Sequence, residues 1–147
     1  LSIFTVISSN PVTANKSFFG KISLSSNSET VKKTVTGYTG GAFSLSSVSK
    51  RDANRNLCIG FADRKPDHIL VLEKDFPKLN IKVSSGGHDT TLLVVGPDKK
   101  TVHCGDDTGK SKDASIKGRN WKAGTYQIWV GSFKARTRKT YRLSLQK

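Results

Sequence analysis

The side chains best suited to chemistry in this sequence lie at residues 104–113, CGDDTGKSKD. Asp106, Asp107 and Asp113 could supply three carboxylates from one loop, and calcium is bound by six to eight oxygen ligands of this kind. Two adjacent aspartates repel each other, and a bound cation would relieve that repulsion. The spacing differs from an EF-hand, because no glutamate stands at the twelfth position. Calcium is therefore a candidate cofactor, and these three aspartates are its candidate ligands.

The same loop also allows an interpretation without metal. Lys110 and Lys112 could neutralise the aspartates directly. Aspartate side chains in turns commonly accept hydrogen bonds from backbone N–H groups, which satisfies them without a cation. Asp89 or Asp63 could approach the loop in the folded chain and add a further carboxylate. The sequence leaves the metal loop and the capped polar turn both open.

Catalytic groups are harder to assemble. Three histidines, His68, His88 and His103, lie in unrelated contexts, and a zinc site through His88 and His103 is a minor alternative. The GxSxG turn of serine hydrolases does not occur. We therefore predict that the protein is not an enzyme, and a hydrolase ranks third among the functions considered.

Positive charge is the most distinctive bulk property. Lysine and arginine number 25 against 11 acidic residues, a net charge of +14. The last third, residues 101–147, has eleven basic and three acidic residues. Such a field attracts polyanions, and arginine binds sulfate, phosphate and carboxylate through its planar fork. The candidate anion-binding residues are Lys134, Arg136, Arg138 and Lys139 in one predicted turn, Arg142 on the next strand, and Lys117, Arg119 and Lys122 in the preceding loop. The alternative is a solvated basic surface that keeps the protein in solution.

Two cysteines are present, Cys58 and Cys104. A disulfide between them would close a long loop and would indicate an oxidising extracytoplasmic compartment, which could be the periplasm, a lumen or the cell exterior. Two buried free thiols are the alternative. The spacing fits neither a zinc knuckle nor a CxxC redox site.

The elements that must position these residues are β-strands. Helix signals are nearly absent, and short runs rich in valine, serine and threonine alternate with turn residues. LNIKVSS (79–85) alternates strictly, and TTLLVVG (90–96) is apolar throughout. GTYQIWVGSF (124–133) and TYRLSLQ (140–146) form a predicted hairpin, with 105–120 as a long loop before it. About eight short strands predict an all-β, jelly-roll-like antiparallel sandwich.

The beginning of the chain has two interpretations. Residues 1–14 are interpreted as a first strand and linker or as the remnant of a secretion signal. The chain begins at Leu1 and has no methionine, which suggests a processed product or a fragment. Residues 1–147 are predicted to form a single domain. No apolar run is long enough for a transmembrane helix.

Several segments from Cys58 to Leu145 occur in a recognisable order. They read CIGF, PDHILVL, FPKLNIKV, DTTLLVVGPD, CGDD, WKAGTYQIWVGSF and YRLSL, with TGGAFSLSS upstream. Together they resemble the bacterial pre-peptidase C-terminal domains, in particular secreted versions with paired cysteines. The best-matching region is 34–147.

The resemblance implies a β-sandwich that serves as a non-catalytic appendage or a free-standing secreted protein, with calcium bound in some members. The basic turn KARTRK (134–139) departs from that pattern. We therefore predict a secreted binding module that holds an acidic polysaccharide, an anionic lipid surface or an acidic protein of an assembly through its basic C-terminal face. A calcium-stabilised accessory domain that presents another protein is the alternative. The sequence disfavours nucleic acid as the partner, since no known nucleic-acid-binding motif is present.

Overall fold

A computed structural model describes residues 16–25, 32–107 and 111–147. Within these ranges nearly all regular structure is β, with one short 3₁₀ helix at Leu45–Ser47. None of the described helical residues forms a segment long and apolar enough to cross a membrane. The strands are β1 (Lys21–Leu24), β2 (Lys32–Tyr38), β3 (Phe43–Ser44), β4 (Phe61–Ala62), β5 (His68–Leu72), β6 (Phe76–Ser84), β7 (Thr90–Val95), β8 (Val102–Gly105), β9 (Ser115–Trp121), β10 (Gly124–Ser132) and β11 (Thr140–Gln146).

The strands form two sheets. The four-stranded sheet has the order β2-β11-β6-β9, and every neighbouring pair in it is antiparallel. The seven-stranded sheet is organised around β10, which pairs with β5 along one edge and with β7 along the other. Strand β8 lies beyond β7, β1 lies beyond β5, and the short β4 and β3 continue beside the end of β10. The all-β sandwich predicted from the sequence is confirmed.

Two features differ from the prediction. The described residues contain eleven strands rather than about eight, because several are only two to four residues long. Strand β1 pairs with β5 in parallel, whereas the sequence suggested a purely antiparallel arrangement. Residues 1–14, interpreted as a first strand and linker or as a signal remnant, lie outside the described residues.

The main core fills the space between the sheets. Leu79, Ile81 and Val83 of β6 are fully buried, as their alternation predicts, and they lie beside Leu143 and Leu145 of the neighbouring strand β11 within the same apolar cluster. Alternate side chains of a strand point to opposite faces, so one face of each strand enters this core. The intervening residues of the four-stranded sheet point to solvent.

Strand β9 lies within the predicted long loop. Its inward positions are Ile116, Gly118 and Trp121, so the apolar alternation is interrupted by a glycine. The Trp121 ring occupies the space beside that glycine, and a Cβ on Gly118 would lie 2.6 Å from Trp121 Cζ2. The sequence did not predict this strand, because the side chain that fills the inward space at Gly118 belongs to Trp121, three residues later in the chain.

A second apolar cluster lies on the outer face of the seven-stranded sheet. Leu93, Val95 and Trp129 point outward from this sheet and are nonetheless buried. The segment between β2 and β5 covers them, with Leu45 and Cys58 packed against the sheet. The Trp129 indole N–H donates to the Arg64 carbonyl oxygen at 3.1 Å.

The covering segment is held in place covalently and by hydrogen bonds. Cys58 and Cys104 form a disulfide, which confirms the pairing and excludes the two free thiols. The Asp52 carboxylate accepts hydrogen bonds from the backbone N–H groups of Cys104, Asn54 and Asn56. The disulfide and the hydrogen bond from the Cys104 N–H to Asp52 join the covering segment to β8, which is an edge strand of the sheet.

Replacing both cysteines, Cys58→Ala with Cys104→Ala, should lower the free energy of unfolding by up to about 4 kcal/mol, because the unfolded chain loses a long closed loop. Urea unfolding of the oxidised protein and of the double variant measures the difference. The parent protein under reducing conditions should match the variant. Equal stability of the oxidised parent and the variant would contradict a stabilising role for this bond.

Candidate functional site

The outer face of the four-stranded sheet carries only positive charge. Strands β2, β6, β9 and β11 contain seven basic residues and no aspartate or glutamate, although the chain has eleven acidic residues. Six of the basic side chains alternate with the core residues and are exposed. We call this surface the basic sheet face, and its residues are Lys32, Lys78, Lys82, Lys117, Arg119 and Arg142.

The strand register brings these charges close together. Lys78 lies directly opposite Arg119, and Lys117 lies opposite Asn80, the residue two positions after Lys78. Like charges directly opposite each other on a sheet are destabilising. The arrangement therefore costs stability in the free protein, and an anion bound over the face would remove that cost.

Protection of sheet edges explains only part of this pattern. Lysines on edge strands hinder unwanted strand pairing, and β2 and β9 are the edges of this sheet. Strands β6 and β11 are central, yet they contribute Lys78, Lys82 and Arg142. Edge protection therefore does not account for the basic residues at central positions.

The candidate anion-binding residues from the sequence fall into three places. Lys117, Arg119 and Arg142 belong to the basic sheet face. Lys122 lies apart from them in the turn between β9 and β10, where its Nζ is 3.8 Å from an Asp75 carboxylate oxygen. The sequence did not single out Lys32, Lys78 or Lys82, although the alternation of NIKV (80–83) already points Lys82 away from the core.

The remaining four candidates form the basic turn between β10 and β11, comprising Lys134, Arg136, Arg138 and Lys139. The buried Thr39 anchors this turn: its hydroxyl donates to the Thr137 carbonyl oxygen at 2.7 Å and accepts from the Lys139 N–H at 2.9 Å. The Arg136 N–H donates to the Gly41 carbonyl oxygen at 2.8 Å. These contacts dock the turn onto the segment that follows β2.

Three aspartates converge at the far end of the β7–β8 pair. Leu92 pairs with Gly105, so the residue preceding β7 and the residues following β8 share one end of the ladder. Carboxylate oxygens of Asp89, Asp106 and Asp107 lie within 4.8 Å of one another. We call these three residues the acidic cluster. Burial, together with the charges of Asp107 and Asp89, raises the pKa of Asp106 to about 6.

Asp113 occupies a different place from the other two candidate metal ligands. It is buried, and its carboxylate accepts hydrogen bonds from the Ser85 backbone N–H at 3.1 Å and from the Ser85 hydroxyl. These bonds secure the turn that follows β6. The middle of the quoted loop, residues 108–110 with Lys110, lies outside the described residues.

Two of the three histidines make contacts inside the protein. His68 is fully buried, and its Nε2 lies 2.8 Å from the Tyr141 hydroxyl, a bond that joins the two sheets. Burial lowers the pKa of His68 to about 4. His103 stacks on the Trp121 ring with 4.2 Å between ring centroids. His88 is exposed in the turn after β6, so the described structure does not bring the three together.

The comparisons with known proteins concern the fold. No protein-family model and no curated protein sequence matches the chain. The pre-peptidase C-terminal domain of collagenase from Bacillus anthracis aligns with a TM-score of 0.50 and 13% identity, over 85% of this chain and 93% of that domain. PliG, a periplasmic inhibitor of g-type lysozyme from Aeromonas hydrophila, aligns with a TM-score of 0.42 and 13% identity, over 87% and 98%. The resemblance to pre-peptidase C-terminal domains is thus confirmed at the level of the fold.

The stability of the protein should depend on pH through the carboxyl group of Asp67, which precedes His68 in the chain. Burial raises the pKa of Asp67 to about 7, against the stabilising hydrogen bond from the Val130 N–H. The folded protein therefore holds this proton more tightly than the unfolded chain does. The stability that the protonated Asp67 contributes is fully present below about pH 4, and it is lost as the pH rises to about 7. Asp67→Asn keeps an acceptor for Val130 and carries no charge, so its stability relative to the parent should increase by at most about 1.4 kcal/mol per pH unit across that interval.

Urea unfolding at pH 4, 5.5, 7 and 8 measures this difference. His68 titrates in the same interval in both proteins, so its effect cancels in the comparison to first order. Glu73→Gln, at an exposed position at the other end of β5, serves as the matched control. A stability difference that does not change with pH would show that Asp67 remains ionised in the core.

Proposed function

We propose that the protein is a non-catalytic binding domain that holds an anionic partner on the basic sheet face. One observation carries the proposal: four paired strands present six exposed basic side chains and no acidic one, although the chain has eleven acidic residues elsewhere. The basic turn lies at the end of the same sheet, next to β11, and adds four further charges. A surface of this kind attracts polyanions and speeds their association.

A binding role also agrees with the way the other polar groups are used. His68 and His103 are engaged in contacts within the protein, and the buried Asp67 accepts a backbone hydrogen bond. The disulfide supports an extracytoplasmic location, because such bonds persist in oxidising compartments. We therefore place the protein in the periplasm or outside the cell.

The proposal predicts that binding to heparin depends on where positive charge is removed. Three triple variants each remove three charges: Lys82→Gln, Lys117→Gln and Arg119→Gln on the basic sheet face; Lys134→Gln, Arg136→Gln and Lys139→Gln on the basic turn; and Lys50→Gln, Lys99→Gln and Lys100→Gln as the control. The sheet-face variant should lose about tenfold or more in affinity and show a shallower dependence on salt, because fewer counterions are released on binding.

Elution from heparin resin and titration at several salt concentrations provide the measurements. A larger loss in the turn variant would move the site to the basic turn. If all three variants lose the same affinity, binding follows net charge alone, and the proposed surface is wrong.

A calcium-stabilised accessory domain is the second candidate, and a specific atom favours it. Asp106 Oδ1 is buried and has no hydrogen-bond partner among the described residues, and it lies among the carboxylates of Asp89 and Asp107. Hard cations such as calcium take carboxylate oxygens as ligands. The residues therefore fit a calcium ion, which would satisfy the unpaired oxygen and offset the mutual repulsion of the three groups.

Calcium should raise the melting temperature by roughly 5–10 °C at a hundredfold excess over its Kd, since it would bind only the folded state. Asp106→Asn with Asp107→Asn should abolish this rise, whereas Asp63→Asn with Glu73→Gln should preserve it. Thermal melts with calcium and with chelator, at fixed pH and ionic strength, test both statements. No rise in the parent protein, or an equal rise in the cluster variant, would exclude a calcium site at the acidic cluster.

A further inference from the structure

A groove opens at one end of the basic sheet face. It has a volume of about 650 Å³ and crosses the ends of β2, β11 and β6. None of the described residues that line it is acidic. The lining residues are Phe19, Thr36, Gly37, Tyr38, Ser84, Ser85, Gly86, Thr140, Tyr141 and Arg142. We call it the arginine groove.

The register places a guanidinium between two hydroxyls in this groove. Arg142 of β11 lies directly opposite Thr36 of β2 on one side and Ser84 of β6 on the other. In the next row of the sheet, Thr140 lies opposite Tyr38. The Arg142 guanidinium, which can make two parallel hydrogen bonds to one anion, therefore lies among hydroxyl groups that can both donate and accept hydrogen bonds.

An aromatic ring and a second arginine border the groove. Tyr38 is 40% exposed, and the Arg138 guanidinium carbon lies 3.8 Å from the centroid of its ring. Phe19 packs edge-on against the same ring at 4.9 Å. The cation–π contact holds Arg138 near the groove entrance, which reduces the entropy lost when the guanidinium binds an anion.

Gly37 allows close packing of aromatic rings beneath the groove. A Cβ at this position would overlap the Tyr141 hydroxyl and would come within 2.8 Å of the Phe19 ring. Gly37 therefore allows Phe19 and Tyr141 to meet beneath the groove. Ser85, which borders the groove, is held by the buried Asp113. The walls are consequently fixed by contacts inside the protein.

We propose that the anionic partner is an acidic polysaccharide and that the arginine groove binds one of its charged sugars. This inference rests on the proposed function and narrows it. Arg142, with Arg138, would bind the carboxylate or sulfate of the sugar. The hydroxyls of Thr36, Ser84 and Thr140 would pair with sugar hydroxyls, and the exposed part of the Tyr38 ring would contact the apolar side of the sugar ring.

The rest of the basic sheet face suits the continuation of such a chain. Arg142, Lys82, Lys117 and Lys78 follow one another in successive rows of the sheet, about 7 Å apart along the strands. Between them lie the exposed or half-exposed polar side chains of Thr34, Asn80, Ser144 and Gln146. Charges at regular intervals separated by hydrogen-bonding groups match a polymer of acidic sugars.

A membrane surface matches the same residues less well. Proteins that bind anionic lipid surfaces commonly insert apolar side chains among their basic residues. The large exposed apolar side chains in the described structure are Phe18, Tyr38, Val48, Leu57 and Phe133, and Tyr38 alone among them belongs to the four-stranded sheet. Among its described residues, the basic sheet face thus offers a membrane only one large, partly exposed apolar side chain.

The test compares polymers that share charge and differ in hydroxyls. Polygalacturonate and dextran sulfate are the acidic polysaccharides, poly-L-glutamate is the carboxylate polymer without sugars, and vesicles of phosphatidylserine and phosphatidylcholine represent a lipid surface. Thr36→Val with Thr140→Val removes two hydroxyls and leaves the charge unchanged. Binding of at least one polysaccharide should weaken about tenfold in this variant, with poly-L-glutamate unaffected, because two hydrogen bonds are lost.

Two further variants complete the design. Arg142→Lys keeps the charge but removes the planar fork, and it should also weaken polysaccharide binding more than poly-L-glutamate binding. Thr125→Val with Ser47→Ala removes two hydroxyls associated with the other sheet and should change nothing. Circular dichroism melts confirm that each variant is folded.

The outcomes separate the two proposals. If polysaccharides and poly-L-glutamate bind equally, and neither groove variant discriminates between them, the saccharide inference is overturned and the proposed function stands. Tighter binding to vesicles than to either polysaccharide would overturn it in favour of a lipid surface. If none of the four probes binds, the proposed function fails together with the inference.

Discussion

The burial of both faces of the seven-stranded sheet is the constraint on which the rest of the structure depends. Strands β7 and β10 carry apolar side chains on both sides, with Val94 and Ile128 toward the main core and Leu93 and Trp129 toward the outside. The outward set must be covered, and the segment between β2 and β5 covers it. The disulfide between Cys58 and Cys104 fastens this cover to the sheet edge.

The two sheets consequently have different roles. The seven-stranded sheet is enclosed by the main core on one side and by its covering segment on the other. The four-stranded sheet is buried on one side and leaves a broad pleated surface exposed on the other. Its outward positions carry lysine, arginine and small polar residues, and the acidic residues of the described chain lie elsewhere. This separation of charge underlies the proposed binding role.

Much of the fold could be predicted because the relevant signals are local. The alternation in residues 79–85 and 124–133 reports which side chains enter the core, and the continuous apolar run at 90–95 reports a strand buried on both faces. Strand β9 could not be predicted in this way, since Gly118 depends on the ring of Trp121 to fill its inward position. The parallel pairing of β1 with β5 is likewise a long-range choice with no local pattern.

The sequence by itself determined the β class, the disulfide-compatible pair of cysteines, the excess of positive charge and several of the residues that carry it. The tertiary structure alone decided which of those charges share a surface. Lys78 and Lys82 join Arg119 and Arg142 because strands β6, β9 and β11 are neighbours, although β6 is remote from the others in the chain. The three aspartates of the quoted loop separate in the same way: Asp106 and Asp107 meet Asp89, while Asp113 binds Ser85. Charges act through space, and strand pairing sets the distances between them.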